Sequence, residues 1–271
     1  MAKAAYSALA CLLMGCSMSA GGPDSADADA LSTTAVVVVE RNMAEGGAVR
    51  SEATARFIQA RAFADDRALR LAGVAMDLPA LGACMQLSRG TGGKRVTEGT
   101  SVVLLDVGAV TLANAPLQAR QVPDVANLLS GSVYTASTVD VVPGQALELR
   151  VGRDTTLVQA PQDLSSVRIQ GQDAKGSVVL GSGPYDLDWS GSSGGSLYVD
   201  VLGEGATSAL RCAYEDLGHA VMADGTLPAG KGSIVVHRLT RTSVKLPGAD
   251  TAEVRFDFAR AFSFARPADP R

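Results

Sequence analysis

The chain has 271 residues, is 46% hydrophobic and carries a formal charge of −4, enough apolar material for one large or two ordinary domains. A mildly acidic chain without a basic run has neither the electrostatic footprint of a nucleic-acid binder nor a polybasic patch for anionic lipid. Aromatic residues are only 4% of the chain, so Val, Leu and Ala must fill most of any core.

The N-terminus opens with one cation, Lys3, followed by an apolar run from Ala4 to Met14 and then Gly15-Cys16. That is the layout of a secretory signal, and the run is far short of the roughly 20 residues a membrane-spanning helix needs. Leu13-Met14-Gly15-Cys16 resembles the lipobox of bacterial lipoproteins. The resemblance implies cleavage just before Cys16, which would carry a thioether-linked diacylglycerol and an N-acyl chain. An ordinary secretory cut after Ala20 fits less well, because bulky Met18 stands where a small residue is wanted. Each buried methylene contributes about 0.8 kcal/mol, so a multiply acylated Cys16 makes the lipid bilayer a lasting partner. Ser17 replaces the Asp that retains such proteins in an inner membrane, which favours an outer-membrane location in the cell envelope. Residues 1–15 therefore read as a signal peptide, and their removal takes away Lys3 and leaves a charge of −5. Residues 16–33, rich in Ser, Ala, Gly and Asp, read as the lipidated Cys and a flexible tether.

Beyond the tether, period-two alternation recurs between Gly, Pro, Asp and Ser breaks. Thr34–Arg41 holds four consecutive valines and predicts a strand. Ala53–Phe57 alternates as a strand, with a helix or loop across Arg61–Leu71. Val102–Leu112 is strand-like with an interruption at Asp106-Val107-Gly108. In Ala146–Val151, Leu147, Leu149 and Val151 share a face, and Val167–Ile169 is a shorter piece of the same kind. Tyr185, Leu187 and Trp189 point one way while Asp186 and Asp188 point to solvent. Leu197, Val199 and Val201 form the next set, then Leu210, Cys212 and Tyr214, then Ile234–Leu239, then Val254, Phe256 and Phe258.

Strands at this spacing, joined by short turns, predict an all-β fold of antiparallel β-sandwich, Ig-like architecture. A break at Gly152–Pro161 suggests two packed β regions, an N-terminal one at 34–154 and a C-terminal Ig-like sandwich at 155–265, with a tail at 266–271. Trp189 and Cys212 resemble the core tryptophan and cysteine of Ig-like sandwiches, although the C-terminal half has no second Cys. LDWSG at 187–191 and LRCAYEDLG at 210–218 are similar to uncharacterised secreted or lipoprotein β-domains of myxobacteria and their relatives. No activity comes with that similarity.

Of four cysteines, Cys11 leaves with the signal and Cys16 is consumed by lipid. Cys84 and Cys212 remain as an even pair in an oxidising compartment, so one disulfide or two separate buried thiols both fit. Gly191–Gly195 matches G-x-S-x-G, but a strand follows where a nucleophile elbow needs a helix. Gly225–Lys231 begins like a phosphate loop and then has Gly232 where Ser or Thr should ligate magnesium. His219 and His237 are the only histidines; no C-x-x-C or calcium-loop pattern joins them, so no metal or cofactor is expected. Asp186, Asp188 and Asp216 read as a solvated strand face and turn.

The expectation is a noncatalytic, membrane-anchored envelope lipoprotein whose β regions serve as a binding or structural module, with an envelope protein or glycan as partner and no nucleic acid. Sandwich loops or a free sheet edge would do the binding. The alternatives are an enzyme acting on envelope polysaccharide or peptidoglycan through carboxylates gathered by the fold, and a periplasmic assembly factor.

Overall fold

A computed structural model describes residues 31–61, 66–88 and 101–267. The expected signal peptide, the expected lipidation site Cys16, the expected tether up to residue 30 and residues 268–271 lie outside the described residues. The fold is nearly all β, with one large mixed sheet and a small antiparallel sheet packed as a sandwich.

The chain opens with a 13-residue hairpin ladder, β1 (Leu31–Met43) against β2 (Val49–Arg61). Residues 31–33, expected to belong to a flexible tether, pair instead with 59–61. The four valines of β1 serve both faces: Val37 and Val39 enter one core and Val36 another. An unbroken apolar run is what a strand covered on both sides requires. A single helix, α1 (Asp66–Leu71), follows, then β3 (Cys84–Ser88).

The predicted strand at Val102–Leu112 is two short ones, β4 (Val102–Leu104) and β5 (Val110–Leu112). A hairpin of β6 (Ala115–Val125) and β7 (Leu129–Ala136) then forms, followed by β8 (Ala146–Val151) and β9 (Asp154–Gln159). Gly131 lets β4 run parallel to β7: a Cβ there would sit 1.9 Å from the Leu104 carbonyl oxygen.

The small sheet comprises β10 (Val167–Ile169), β11 (Gln172–Asp173), β13 (Tyr185–Trp189) and β16 (His219–Met222). The remaining strands, β12 (Val178–Val179), β14 (Ser196–Gly203), β15 (Ser208–Glu215), β17 (Gly230–Val244) and β18 (Thr251–Arg266), join the large sheet. Its order is β3-β15-β14-β17-β18-β1-β2-β4-β7-β6-β5-β8-β9, with β12 beside the end of β18.

The two expected β regions are not separate along the chain. The 154/155 boundary falls at the turn between β8 and β9, and β18 lies parallel to β1 through ten paired positions from Thr34↔Thr251 to Met43↔Arg260. Two large cores do exist. Val254, Phe256 and Phe258 of β18 belong to the first, with Val37, Phe57, Tyr134 and Leu149. Phe262 and Phe264 of the same strand belong to the second, with Tyr185, Leu187, Trp189 and Val199. β18 runs as far as Arg266, which is buried, so the first residue of the expected 266–271 tail belongs to the sheet.

On the opposite face of β1 and β2 a third cluster forms, where Ala68, Ala72 and Val74 pack on Val36, Ile58, Val102 and Leu104. From there the chain crosses the sheet. The Val74 carbonyl accepts from Arg255 of β18, and the Asp77 carbonyl accepts from Arg211 of β15. At the far edge β3 pairs with β15, and Cys84 and Cys212, directly opposite in that register, are joined as a disulfide. We call residues 72–83 the strap.

The second core is tied to its loops by one buried ion pair. Arg238 Nε and Nη2 donate to Asp216 at 2.8 and 3.1 Å, and the guanidinium also donates to the carbonyls of Gln162, Asp163 and Ser190. Trp189 Nε1 donates to the same carboxylate at 2.6 Å, and Ser193 donates through both its amide and hydroxyl. Asp216 is therefore buried, not on the solvated turn the sequence suggested. Burial would raise its pKa, but the hydrogen bonds from Arg238, Ser193 and Trp189 outweigh that and hold it below the ordinary carboxylate value. Removing one partner strands a buried charge, so Asp216→Ala should cost about 3–5 kcal/mol of unfolding free energy. Denaturant titration by Trp189 fluorescence checks this, since the indole sits in the network.

Candidate functional site

The outward face of the large sheet carries a transverse polar belt, built from alternate positions of strands far apart in sequence. Asp200 and Arg211 are cross-strand partners on β14 and β15, with Arg211 Nε and Nη2 on the two Asp200 oxygens at 2.7 and 2.6 Å. The same guanidinium lies over the Tyr198 ring, 4.5 Å from its centroid. His237 of β17 stacks on the ring at 4.2 Å, so Tyr198 is sandwiched between a cation and an imidazole. The Tyr198 hydroxyl donates to Asp257 Oδ2 of β18, and His237 Nδ1 faces Asp257 Oδ1 at 2.9 Å. His237 Nε2 lies 3.9 Å from Asp200, closing the circuit.

The belt continues because of register. Parallel pairing sets Glu40 of β1 opposite Asp257, and the β1–β2 hairpin sets Glu52 opposite Glu40. Like charges brought face to face across strands are unfavourable. Burial, then the charges of Asp257 and Glu52, push the Glu40 carboxyl above its ordinary value, with His237 offsetting part of the rise. Burial lowers the pKa of Arg56 of β2, and the charge of Glu40 offsets part of that fall. Tyr198 is pushed far up, first by burial and then by Asp257, so its phenol stays protonated and can only donate to that carboxylate. For Arg211, burial would lower the pKa, but Asp200 prevails and raises it.

Accessibility grades along the belt. Tyr198 and Asp257 are buried, whereas the Glu52 side chain is 33% exposed and Gln118 and Arg120 of β6 are exposed. At this open end lies a groove of about 410 Å³ between β1–β2 and β6–β7. Glu40, Glu52, Thr54, Gln118, Arg120 and Thr135 supply its polar lining. Arg50 pairs with Glu52 at 3.4 Å, and Arg120 Nε donates to Thr135 at 3.2 Å. The groove offers carboxylate acceptors on one wall and amide, guanidinium and hydroxyl donors on the other, beside apolar surface from Ala53, Ala115, Pro116 and Ala136.

The residues singled out in the sequence lie elsewhere. Ser193 of the G-x-S-x-G segment is committed to Asp216, with no histidine beside it in that network. Gly225–Lys231 is a turn leading into β17 and not into a helix. Asp188 faces His219 at 2.9 Å on the small sheet, exposed and remote in register from the belt. Among the described residues no group of three or more His, Cys, Asp or Glu is arranged to hold a metal ion. Sequence reasoning missed Glu40, Glu52, Tyr198 and Asp257. Their only signal was a polar residue at one alternate position of an otherwise apolar strand.

No protein-family profile matches the chain, and no curated protein matches it. Among solved structures, the Fcho1 Mu homology domain of Danio rerio, with bound Eps15 peptide, aligns with 88% of this chain and 98% of its own. Its identity is 8% and its TM-score 0.25, a likeness too slight to carry an argument.

The raised Glu40 pKa has a definite sign. Between the ordinary carboxylate value and the raised one, the folded chain keeps a proton that the unfolded chain has lost. Its contribution to stability is present below that window and is lost as pH rises through it. Glu40→Gln should therefore raise the thermal midpoint near pH 8, and the gain should vanish below about pH 4. Parallel melts of parent and variant across that range check it.

Proposed function

We propose that this chain is a lipid-anchored protein of the cell envelope, a noncatalytic module that binds a hydroxyl-rich ligand, such as an envelope glycan, in the groove beside Glu40 and Glu52. The observation that carries the exported setting is the Cys84–Cys212 disulfide, because such bonds persist in oxidising compartments and are rare in reducing ones. It agrees with the apolar signal and the lipobox at Cys16. The acyl chains on Cys16 would hold the protein on the bilayer, in the outer membrane by the Ser17 criterion. The binding role is supported by the mixed donor and acceptor lining of the groove. The noncatalytic reading is supported by the engagement of Ser193 with Asp216 and of His237 with Asp257 and Tyr198.

One observation favours a second reading. Glu40, with its raised pKa, stands beside Asp257 and Glu52, and unequal neighbouring carboxyls are the acid and base of polysaccharide hydrolysis.

Two measurements test these readings. Membrane-fraction intact mass should show an acyl-sized increment that is lost, together with membrane association, in Cys16→Ser; an unchanged mass and location would overturn the anchor. Purified peptidoglycan sacculi should co-sediment the chain without releasing soluble fragments, and Arg120→Ala with Gln118→Ala should weaken that retention. Fragment release abolished by Glu40→Gln would establish the enzyme instead, and failure to co-sediment would overturn this glycan as the ligand.

A further inference from the structure

The strap is placed where a cover would be. It starts at the third cluster beside β1 and β2, touches β18 through Val74, reaches β15 through Asp77, and ends bonded to β15 at Cys212. With β17 and β14 lying between β18 and β15, it must pass over both strands. The face of β17 and β14 along that path carries Leu239 and Tyr198, each 2% exposed and, among the described residues, in none of the three apolar clusters.

The strap is held at its ends and at Asp77, whose carboxylate pairs with Arg70 at 2.6 Å and whose carbonyl accepts from Arg211. Neither large core includes a residue from 66–88; only the third cluster does, through Ala68, Ala72 and Val74. Across the middle, Ala75–Ala83 forms no strand or helix, and Asp77, Ala80, Leu81, Gly82 and Ala83 are exposed. At the far end the amide of Gly82 donates to the Ala213 carbonyl, the amide of Ala213 donates to Ala83, and five-residue β3 pairs at the sheet edge. The two bonded residues also differ in exposure: Cys84 is exposed and Cys212 is buried.

We propose that the Cys84–Cys212 bond is a redox latch, and that its reduction releases the strap and uncovers the Tyr198–His237–Asp257 part of the belt while both large cores stay folded. An incoming thiolate reaches the Cys84 sulfur, forms a mixed disulfide there, and expels Cys212 as a thiolate that takes a proton from water. The second thiol of a dithiol reductant then displaces Cys84 as the free thiol and leaves as the cyclic disulfide, so two electrons and two protons pass to the protein. Opening would lengthen the groove at Glu40 and Glu52 along the belt toward β15. The latch does not depend on what that groove binds.

Native full-length protein, reduced with dithiothreitol, capped with iodoacetamide and freed of reagents, is compared with the untreated protein by hydroxyl-radical labelling read by mass spectrometry. Tyr198 labelling should rise several-fold, whereas Tyr134 of the first core and Tyr185 of the second should stay protected. Amide exchange should speed up across 75–83 in the same sample. Continued protection of Tyr198 with both thiols capped would overturn the latch. A joint rise at all three tyrosines would also overturn it, by showing that the bond holds the whole fold. Cys84→Ser should reproduce the reduced pattern without any reductant.

Discussion

Strand β18 is covered on both faces and paired along both edges, and the rest of the molecule is arranged around that condition. One face alternates Val254, Phe256, Phe258, Phe262 and Phe264, which enter two successive cores, so a single strand does the work of a hinge pin between them. Its other face carries Arg255 and Asp257, both buried. A sheet face that is closed in this way must satisfy its polar groups internally. Arg255 reaches the strap at Val74, and Asp257 takes the hydrogen bond of Tyr198.

The belt follows from that requirement. Pairing β1 parallel to β18 places Glu40 at the level of Asp257, an arrangement that raises the cost of ionising Glu40. Cations are supplied further along, by Arg211 at one end and Arg50, Arg56 and Arg120 toward the other, so the surplus of negative charge is concentrated near the middle. Fold stability and the lining of the groove therefore meet at the same carboxyl. The second polar centre, Arg238 with Asp216, has no such exposure to solvent and serves to fix three loops at the end of the second core.

Much of the strand content was legible because alternation is a local signal. Leu147, Leu149 and Val151, or Tyr185, Leu187 and Trp189, announce an inward face without reference to anything else. Partners were not legible. Nothing within Thr34–Arg41 says that its neighbour is Thr251–Arg260, and so the sequence suggested two successive regions where the fold interleaves them. The β6–β7 hairpin was missed because β6 is exposed along most of its length and shows no apolar stripe. Asp216 looked like a turn residue, since its burial depends on Arg238, 22 positions on. The belt was the least visible feature of all, because it is a row across strands and each strand contributes one or two residues to it.

The parallel neighbourhood of β1 and β18 also orders events in time. The first described strand finds one of its edges filled only by residues 251–260, with Thr34 and its partner Thr251 standing 217 positions apart. Until then the β1–β2 hairpin presents an unpaired, valine-rich edge, the kind of surface that recruits other chains. Contacts this distant along the chain make for slow closure. A chain with this connectivity gains from a chaperone that shields the hairpin until residues 251–260 pair with it, and a truncation anywhere before Thr251 leaves β1 unpaired on that edge and removes Phe256 and Phe264 from the two cores together.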